Sequence, residues 1–473
     1  MPSLPLNKKP DPLSTLPGPK GLPILGNLLQ IDMQKLHLIL EGWSEQYGEI
    51  YRFKMANKTV VAISNPSWIQ TILKDRPDTY RRGSAIEKVG AEFESNGVFA
   101  AEGAEWQRQR HVTMQAFKTE NLRRFYPELY KICERLKKRW QVFADTGQTI
   151  DIRKEWMRFT VDVTTQFAFG YDINLLEQED DSFQRHLEKF LPVFNRRANA
   201  PFPYWHFIKL PSERAMEASL AVIKETINGF VQQTRYRLAQ QAEATVQPAN
   251  FLEALLLARD EAGEGLSNLE IQGNIITMLL AGEDTTAHTL SWLLYLITEH
   301  PAVQHKMQQE ADAVMGADRL PQDMGVIEQF NYIEAVAQET LRLKSVTPLL
   351  FMEPIKDVEI AGISIPKGTS LMLINRFGAL QEENFTGAHN FRPERWLEAT
   401  PAACNHNRNA SAPFGAGPRF CPGRNLALLE IKMAMAMVCK NFSVNRVETE
   451  QPVQEIFSFT MMPDNLMVKL AAR

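Results

Sequence analysis

The sequence predicts a mainly α protein with small β-sheets, an α+β chain folded as one large unit. Helical periodicity dominates from about Trp106 to His300, and one stretch of it runs from Ser267 to His300 without a proline. Short segments of β character, broken by glycine and proline, lie before and after that helical block. At about 150 residues per domain the length would allow three domains. No change of composition marks a linker, however, so the chain divides only into a proline-rich segment at residues 1–20 and a single domain at residues 21–473.

Taken in order, the N-terminus "MPSLPLNKKPDPLSTLPGPKGLPILGN" is too interrupted by proline and lysine for a secretory signal or a membrane span, and a cytoplasmic protein is expected. Alternation in "EIYRFKMANKTVVAIS", Glu49 to Ser64, gives a β-hairpin turning near Ala56 and Asn57. In the long helix, Ser267 followed by Glu270 forms a capping box, and Pro301 stops the pattern. At about 1.5 Å per residue that helix is on the order of 50 Å long, enough to cross the molecule. From Asp357 to Leu373, "DVEIAGISIPKGTSLML" returns to short strands broken by Gly362, Pro366 and Gly368.

Charge and cysteine usage remove several function classes. The 52 basic and 56 acidic side chains sum to −4, which leaves no electrostatic footprint for nucleic acid. Cys133, Cys404, Cys421 and Cys439 form no C-x-x-C pair and no zinc-ligand spacing, so neither a disulfide scaffold nor a zinc site follows.

One cysteine stands in unusual company. In "PFGAGPRFCPGRNLA", Pro413 to Ala427, Cys421 lies between glycine-rich turns and a helix start. Pro422 suits the first position of a helix, which would make Cys421 its cap and aim the positive end of the dipole at the sulfur. Gly415, Gly417 and Gly423 allow φ > 0 and close backbone approach, by main-chain N–H groups or by a bulky flat ligand. A lone cysteine is usually a small buried hydrophobe. Here the surroundings favour a thiolate, which could act as a nucleophile or bind iron, and no histidine lies in the loop to activate a nucleophile.

The long helix carries a polar break, Gly282-Glu283-Asp284-Thr285-Thr286, inside "IITMLLAGEDTTAHTLSWLLYLI". A membrane helix would not tolerate it. Thr285 can bond back to the carbonyl of Ala281, and Gly282 thins the helix on nearly the same face, so that a groove opens for a small ligand; a solvent-facing polar patch is the plainer alternative. Two further pairs are weak singly: Glu339 and Arg342 fit a surface ion pair worth about 0.2 to 0.5 kcal/mol, and Trp106 and Arg110 fit a stack on a helix surface.

Jointly and in order, these pieces resemble the cytochrome P450s, the haem-thiolate monooxygenases. The family's cysteine loop F-x-x-G-x-R-x-C-x-G is matched by Phe414, Gly417, Arg419, Cys421 and Gly423, and its distal-helix motif [A/G]-G-x-[D/E]-T-[T/S] by Ala281, Gly282, Asp284, Thr285 and Thr286. The E-x-x-R pair is Glu339 and Arg342, with Arg395 of "FRPERW" as third member, and W-x-x-x-R falls on Trp106 and Arg110. The likeness runs from "LPGPKG" to "FSFTMMP".

The resemblance implies a single haem-thiolate monooxygenase fold with a long central distal helix and haem b, iron protoporphyrin IX, as cofactor. Cys421 would be the axial iron ligand; Trp106, Arg110 and Arg419 would bind the propionates, with Phe414 and Gly415 in the cofactor loop. Asp284 and Thr285 would deliver protons where O2 is split, and Glu339, Arg342 and Arg395 would form a structural clamp. Many relatives carry a propionate-binding arginine where this chain has Met352, so retention would lean on the other three side chains.

The implied activity inserts one atom of O2 into a lipophilic small molecule of the fatty acid, terpenoid or steroid class. Its pocket would be lined by the segment after Arg82, "APFPYWHFIKL", Ala281, Val346 to Phe351 and Phe457 to Thr460, with Phe351, Phe457 and Phe459 as walls. A peroxide-driven hydroxylase or hydroperoxide isomerase is disfavoured by the acid-threonine pair, and a haem sensor or carrier would not need it. Only 52 residues follow Cys421 (473 minus 421), and no G-x-G-x-x-G follows a strand elsewhere. Electrons are therefore expected from a separate ferredoxin or flavodoxin type of partner with its reductase. Arg108, Lys118, Arg123, Arg124, Arg424 and Lys432 are the candidate basic residues for docking it.

Overall fold

The computed structural model describes residues 12–94, 96–178, 182–187, 189–200, 202–240, 247–260, 263–397 and 406–473; Cys404 lies outside them. Its helices are α1 (Leu36–Tyr47), α2 (Pro66–Lys74), α3 (Ser84–Glu92), α4 (Gly103–Ala116), α5 (Thr119–Thr146), α6 (Ile152–Phe169), α7 (Ser182–Leu187), α8 (Phe190–Ala198), α9 (Pro211–Ala239), α10 (Phe251–Leu257), α11 (Asn268–Glu299), α12 (Pro301–Met315), α13 (Met324–Ile327), α14 (Asn331–Leu343) and α15 (Arg424–Asn441). Its strands are β1 (Ile50–Met55), β2 (Lys58–Ile63), β3 (Tyr80–Arg82), β4 (Ile150–Asp151), β5 (Leu349–Pro354), β6 (Val358–Ile360), β7 (Ile363–Ile365), β8 (Ser370–Ile374), β9 (Phe442–Arg446), β10 (Gln454–Phe457), β11 (Met461–Asp464) and β12 (Met467–Ala472).

The largest sheet has the order β1-β2-β8-β5-β3. Strand β2 is an apolar run because both of its faces are covered: Val61 and Ile63 join one buried cluster with α2, while Val60 and Ala62 join another with α1. The β1–β2 turn is at Ala56, which adopts the left-handed conformation at φ 52°. Leu13 and Leu16 are buried against the first of those clusters, so packing onto the sheet begins before residue 21. At the other edge β3 pairs antiparallel with β5, placing Arg82 opposite Met352. Strands β10 and β11 form a hairpin whose tip is 458–460.

Helix α11 runs through the main core. Ser267 Oγ accepts from Glu270 N at 3.3 Å while Ser267 N donates to Glu270 Oε2 at 2.8 Å, closing the capping box. Pro301 ends α11 by starting α12, where it occupies the first turn. Against α11 lies α6, and here the expected role of Gly282 is corrected. A Cβ on Gly282 would come within 2.7 Å of Thr164 Oγ1, so the missing side chain lets α6 approach closely and the space is filled rather than opened as a groove. The open side of α11 is instead at Ala281, which is exposed although the helix around it is largely buried.

Candidate functional site

Cys421 sits two residues before the cap of α15. The helix starts at Arg424 with Gly423 as its cap, so Pro422 is outside the first turn where the sequence placed it. The loop is nevertheless shaped around the sulfur. Gly415 and Gly417 have φ of 71° and 67°, and a Cβ on Gly417 would lie 2.4 Å from the Leu73 carbonyl oxygen. Gly423, by contrast, has an ordinary φ of −81°. Cys421 N donates to the Phe414 carbonyl at 2.8 Å, which ties the two ends of the loop.

Burial raises the Cys421 thiol's pKa, opposed by the Gly423 N–H, the Arg110 charge and the Arg424 N–H, all of which favour thiolate. Cys133 and Cys439 lack that opposition from the backbone. Both are wholly buried, and burial pushes Cys439 up to about 12 and Cys133 further.

Beside this loop the chain gathers three arginines around one carboxylate, Arg76 buried and Arg82 and Arg419 half-buried. Arg419 Nη1 donates to Glu102 Oε1 at 2.9 Å and Nη2 to the Ala101 carbonyl at 2.5 Å. Arg82 N donates to the same Glu102 oxygen at 3.0 Å, and Arg76 Nη2 lies 3.7 Å from it. The Arg419 guanidinium also covers the Trp106 ring at 4.4 Å, and that of Arg82 covers Phe99 at 3.8 Å. Arg76 Nε and Nη2, Arg82 Nε and Arg419 Nε are buried with no hydrogen-bond partner.

Burial together with mutual repulsion lowers all three pKa values, Arg76 and Arg419 to about 9 and Arg82 to about 10. Three guanidiniums against one carboxylate leave two positive charges uncompensated, with N–H donors to spare, which suits a ligand carrying two carboxylates. Arg110, the fourth cation nearby, points elsewhere: Nη2 donates to the Phe420 carbonyl at 2.8 Å.

Arg76 and Arg82 were missed by the sequence reading, as was Glu102. The one available signal was the empty cation position at 352. Met352 is buried, and its direct cross-strand partner is Arg82, so an arginine stands on β3 directly across from the position where β5 carries none.

On the open side of α11, Thr285 Oγ1 donates to the Ala281 carbonyl at 2.7 Å, and Thr285 and Asp284 are half-buried. One residue on, Thr286 is buried and hydrogen-bonds to Glu430 of α15. Burial raises the Glu430 carboxyl to about 8, so it is mostly protonated at neutral pH. That acid was also missed by the sequence reading.

Glu339, Arg342 and Arg395 come together, and the surface ion pair suggested for the first two is corrected. The three are 0 %, 0 % and 1 % exposed. Arg342 grips Glu339 through Nε and Nη2 at 2.9 and 2.7 Å, Arg395 Nε reaches Glu339 Oε1 at 3.0 Å, and Trp396 Nε1 donates to Glu339 Oε2 at 2.8 Å. A buried carboxylate held this fully fixes α14 to the segment at 376–396.

The aromatic residues divide. Phe459 contacts Phe99 and Phe194 at ring distances of 5.9 and 6.2 Å, and Phe351 is half-buried near Gly83. Phe457 packs instead with Leu36, Leu40 and Trp292, 5.7 Å from the His37 ring. Within "APFPYWHFIKL" Trp205 is buried, but Phe207 and Ile208 face solvent. Two basic candidates leave the docking set, since Lys432 is buried and bonded to Glu334 at 2.8 Å and Arg108 is paired with Glu270. Lys118, Arg123, Arg124 and Arg424 remain exposed. Among the described residues no cluster of histidine, cysteine and carboxylate could hold a metal ion, and no helix is long and apolar enough to cross a membrane.

The family model described as Cytochrome P450 matches residues 16–470. The chain is 29 % identical over 467 residues to human cytochrome P450 3A5, covering 96 % of this chain and 90 % of that protein. It is 28 % identical to mouse cytochrome P450 3A13, with 97 % and 91 % covered. A bifunctional cytochrome P450/NADPH–P450 reductase of Gibberella moniliformis is 28 % identical; the match covers 98 % of this chain and 41 % of that protein.

Proposed function

This chain belongs to the cytochrome P450 family and is a haem-thiolate monooxygenase whose cofactor is haem b, and on that premise we propose how its residues hold the haem and what it oxidises. The observation that carries the reading is the pairing of a backbone-cradled sulfur with an uncompensated double positive charge. Cys421 would supply the iron ligand; burial raises its pKa, and the Gly423 N–H, the Arg110 charge and the Arg424 N–H act against that rise in favour of the thiolate. Arg76, Arg82 and Arg419 would hold the two propionates, which would satisfy their unpartnered guanidinium nitrogens and balance their excess charge. Trp106, under Arg419, closes that end of the site, and Phe414 and Gly415 shape the loop.

When bound, haem with a thiolate ligand supplies the activation and cleavage of O2. The chain's own part is to place substrate and to move protons. Thr285 can release the Ala281 carbonyl and turn its hydroxyl toward the open side of α11, and Asp284 beside it resupplies the proton. The substrate is a lipophilic small molecule of the fatty acid, terpenoid or steroid class, because the groups offered to it are Ala281, Phe351, Phe99, Phe194 and Phe459. Electrons come from a ferredoxin or flavodoxin type of partner docking on the face of Lys118, Arg123, Arg124 and Arg424.

Replacing Cys421 with His tests the ligand assignment. Haem should still bind, but the strongly red-shifted absorption of the reduced carbon-monoxide complex should vanish; its survival would overturn the assignment. A panel of fatty acids, terpenoids and steroids, read by displacement of iron-bound water in the haem absorption spectrum, tests the substrate class. No response from any of the three would refute it.

A further inference from the structure

Helix α11 holds the β10–β11 hairpin by two hydrogen bonds from one face. His288 Nδ1 lies 3.0 Å from Thr460 Oγ1, and four residues on Trp292 Nε1 donates to the Met461 carbonyl at 3.4 Å. The first contact is the unusual one. His288 and Thr460 are both buried, and His288 Nε2 has no hydrogen-bond partner. Burial, with the nearby Arg153 charge, lowers the ring's pKa to about 3, so it is neutral and either tautomer can make the bond to the Thr460 hydroxyl. An apolar side chain would suit this stretch of α11 at lower cost, and a buried polar pair with one atom left unsatisfied asks for a reason.

The reason lies in what Thr460 controls. Ser458 N donates to the Thr460 carbonyl at 3.0 Å, closing the tip, and Asn195 Nδ2 of α8 holds the Ser458 carbonyl at 2.9 Å. Phe459, between them, is thereby set against Phe99 and Phe194. Apolar packing is non-directional, whereas hydrogen bonds fix a register; the Trp292–Met461 bond holds the start of β11 and the Asn195–Ser458 bond the near side of the tip, and His288–Thr460 is the bond that ties the residue following Phe459 to α11. We propose that the His288–Thr460 bond is the positioning contact that sets how far Phe459 projects over the substrate space, and so determines the length of apolar chain the site accepts. This rests on the reading that Phe459 faces the substrate.

The test uses the haem-loaded protein with imidazole and N-alkylimidazoles from ethyl to dodecyl, whose ring anchors on the iron while the alkyl chain probes the far wall. Affinities come from spectral titration and should rise by up to about fourfold per accepted methylene until the wall is met. His288→Leu and Thr460→Val should each move that break by two or more methylenes, changing the affinity for the longest accepted chain about tenfold while leaving imidazole itself within about twofold. The double variant should match the singles, because both remove one contact, and His288→Asn, which keeps a hydrogen-bonding group, should stay near the parent.

Amide hydrogen exchange at 457–461, which needs no added ligand, should speed up in the two single variants and not in His288→Asn. Unchanged exchange and an unmoved break would overturn the proposal, as would strictly additive singles. Faster exchange with an unmoved break would retain the contact but refute Phe459 as a substrate wall.

Discussion

Arg82 and Met352 stand directly opposite each other where β3 pairs with β5, so that an arginine on one strand occupies the ground that a methionine on the other leaves uncharged. Directly paired residues share a face of an antiparallel sheet, and either strand could therefore deliver the cation. Arg82→Met should speed haem transfer to an acceptor globin about tenfold or more, taking about 1.5 to 3 kcal/mol for a lost hydrogen bond to a charged group. Met352→Arg alone should destabilise the haem-free protein, since it adds another cation to a group of arginines that already repel one another. The double exchange, Arg82→Met with Met352→Arg, should return haem loss toward the parent rate. If the exchange is no better than Arg82→Met, the two positions are not equivalent and the cation must come from β3.

Thr285 is poised between its helix and the open side of α11. Thr285→Ala should leave substrate-induced spectral shifts intact but lower product per electron by roughly tenfold, with hydrogen peroxide accounting for the missing electrons. That is below the roughly 10²–10⁴-fold of a fully positioned proton donor, because water can partly substitute. Asp284→Asn should slow turnover without changing substrate affinity. Equal product per electron in Thr285→Ala and its parent would remove the hydroxyl from proton delivery.

Glu430 makes stability depend on pH in a defined direction. Its carboxyl is raised from 4.5 to about 8 by burial, so between those values the native protein keeps a proton that the unfolded chain releases. Stability must then fall as pH rises through that window, by up to about 1.4 kcal/mol per pH unit. Glu430→Gln removes the dependence: near pH 4 the variant should match its parent, and its advantage in urea midpoint should grow from pH 5 to pH 8 and then level off. An advantage that is the same at every pH would mean the carboxyl is not protonated in the native state.

What could be read from the sequence was what lies close along the chain. Ser267, Glu270 and Pro301 bound α11 by local hydrogen bonding and proline geometry, and the 4-residue reach from Thr285 to Ala281 needs only helical periodicity. The cysteine loop was legible as a loop, but its junction with α15 was read two residues early because Pro422 suits a first turn that the chain begins only at Arg424. Glu339 and Arg342 looked like a surface pair because burial is not written in a three-residue spacing. Arg76, Arg82, Glu102 and Arg419 share no periodicity at all, since the turn after α2, β3, the start of α4 and the cysteine loop meet only in three dimensions. His288 met the same limit, its partner lying 172 residues away.

The exposed basic residues give a last prediction, about the electron donor. Lys118, Arg123, Arg124 and Arg424 face solvent on the α4–α5 junction and the start of α15, whereas Lys432 and Arg108 are engaged internally. An acidic ferredoxin or flavodoxin would be steered to such a face, and salt would screen that attraction over about 10 Å at 0.1 M. Partner-driven turnover should therefore fall as ionic strength rises, and changing Arg123 and Arg124 together to Glu should lower it by about tenfold at low salt and less at high salt. Lys432→Glu should act differently, destabilising the fold by burying a carboxylate against Glu334 while leaving the salt dependence of the surviving enzyme unchanged. Turnover driven by added hydrogen peroxide needs no partner, so it should respond to neither salt nor the Arg123/Arg124 change. A partner-driven rate that is flat with salt would place the docking surface on apolar contacts elsewhere.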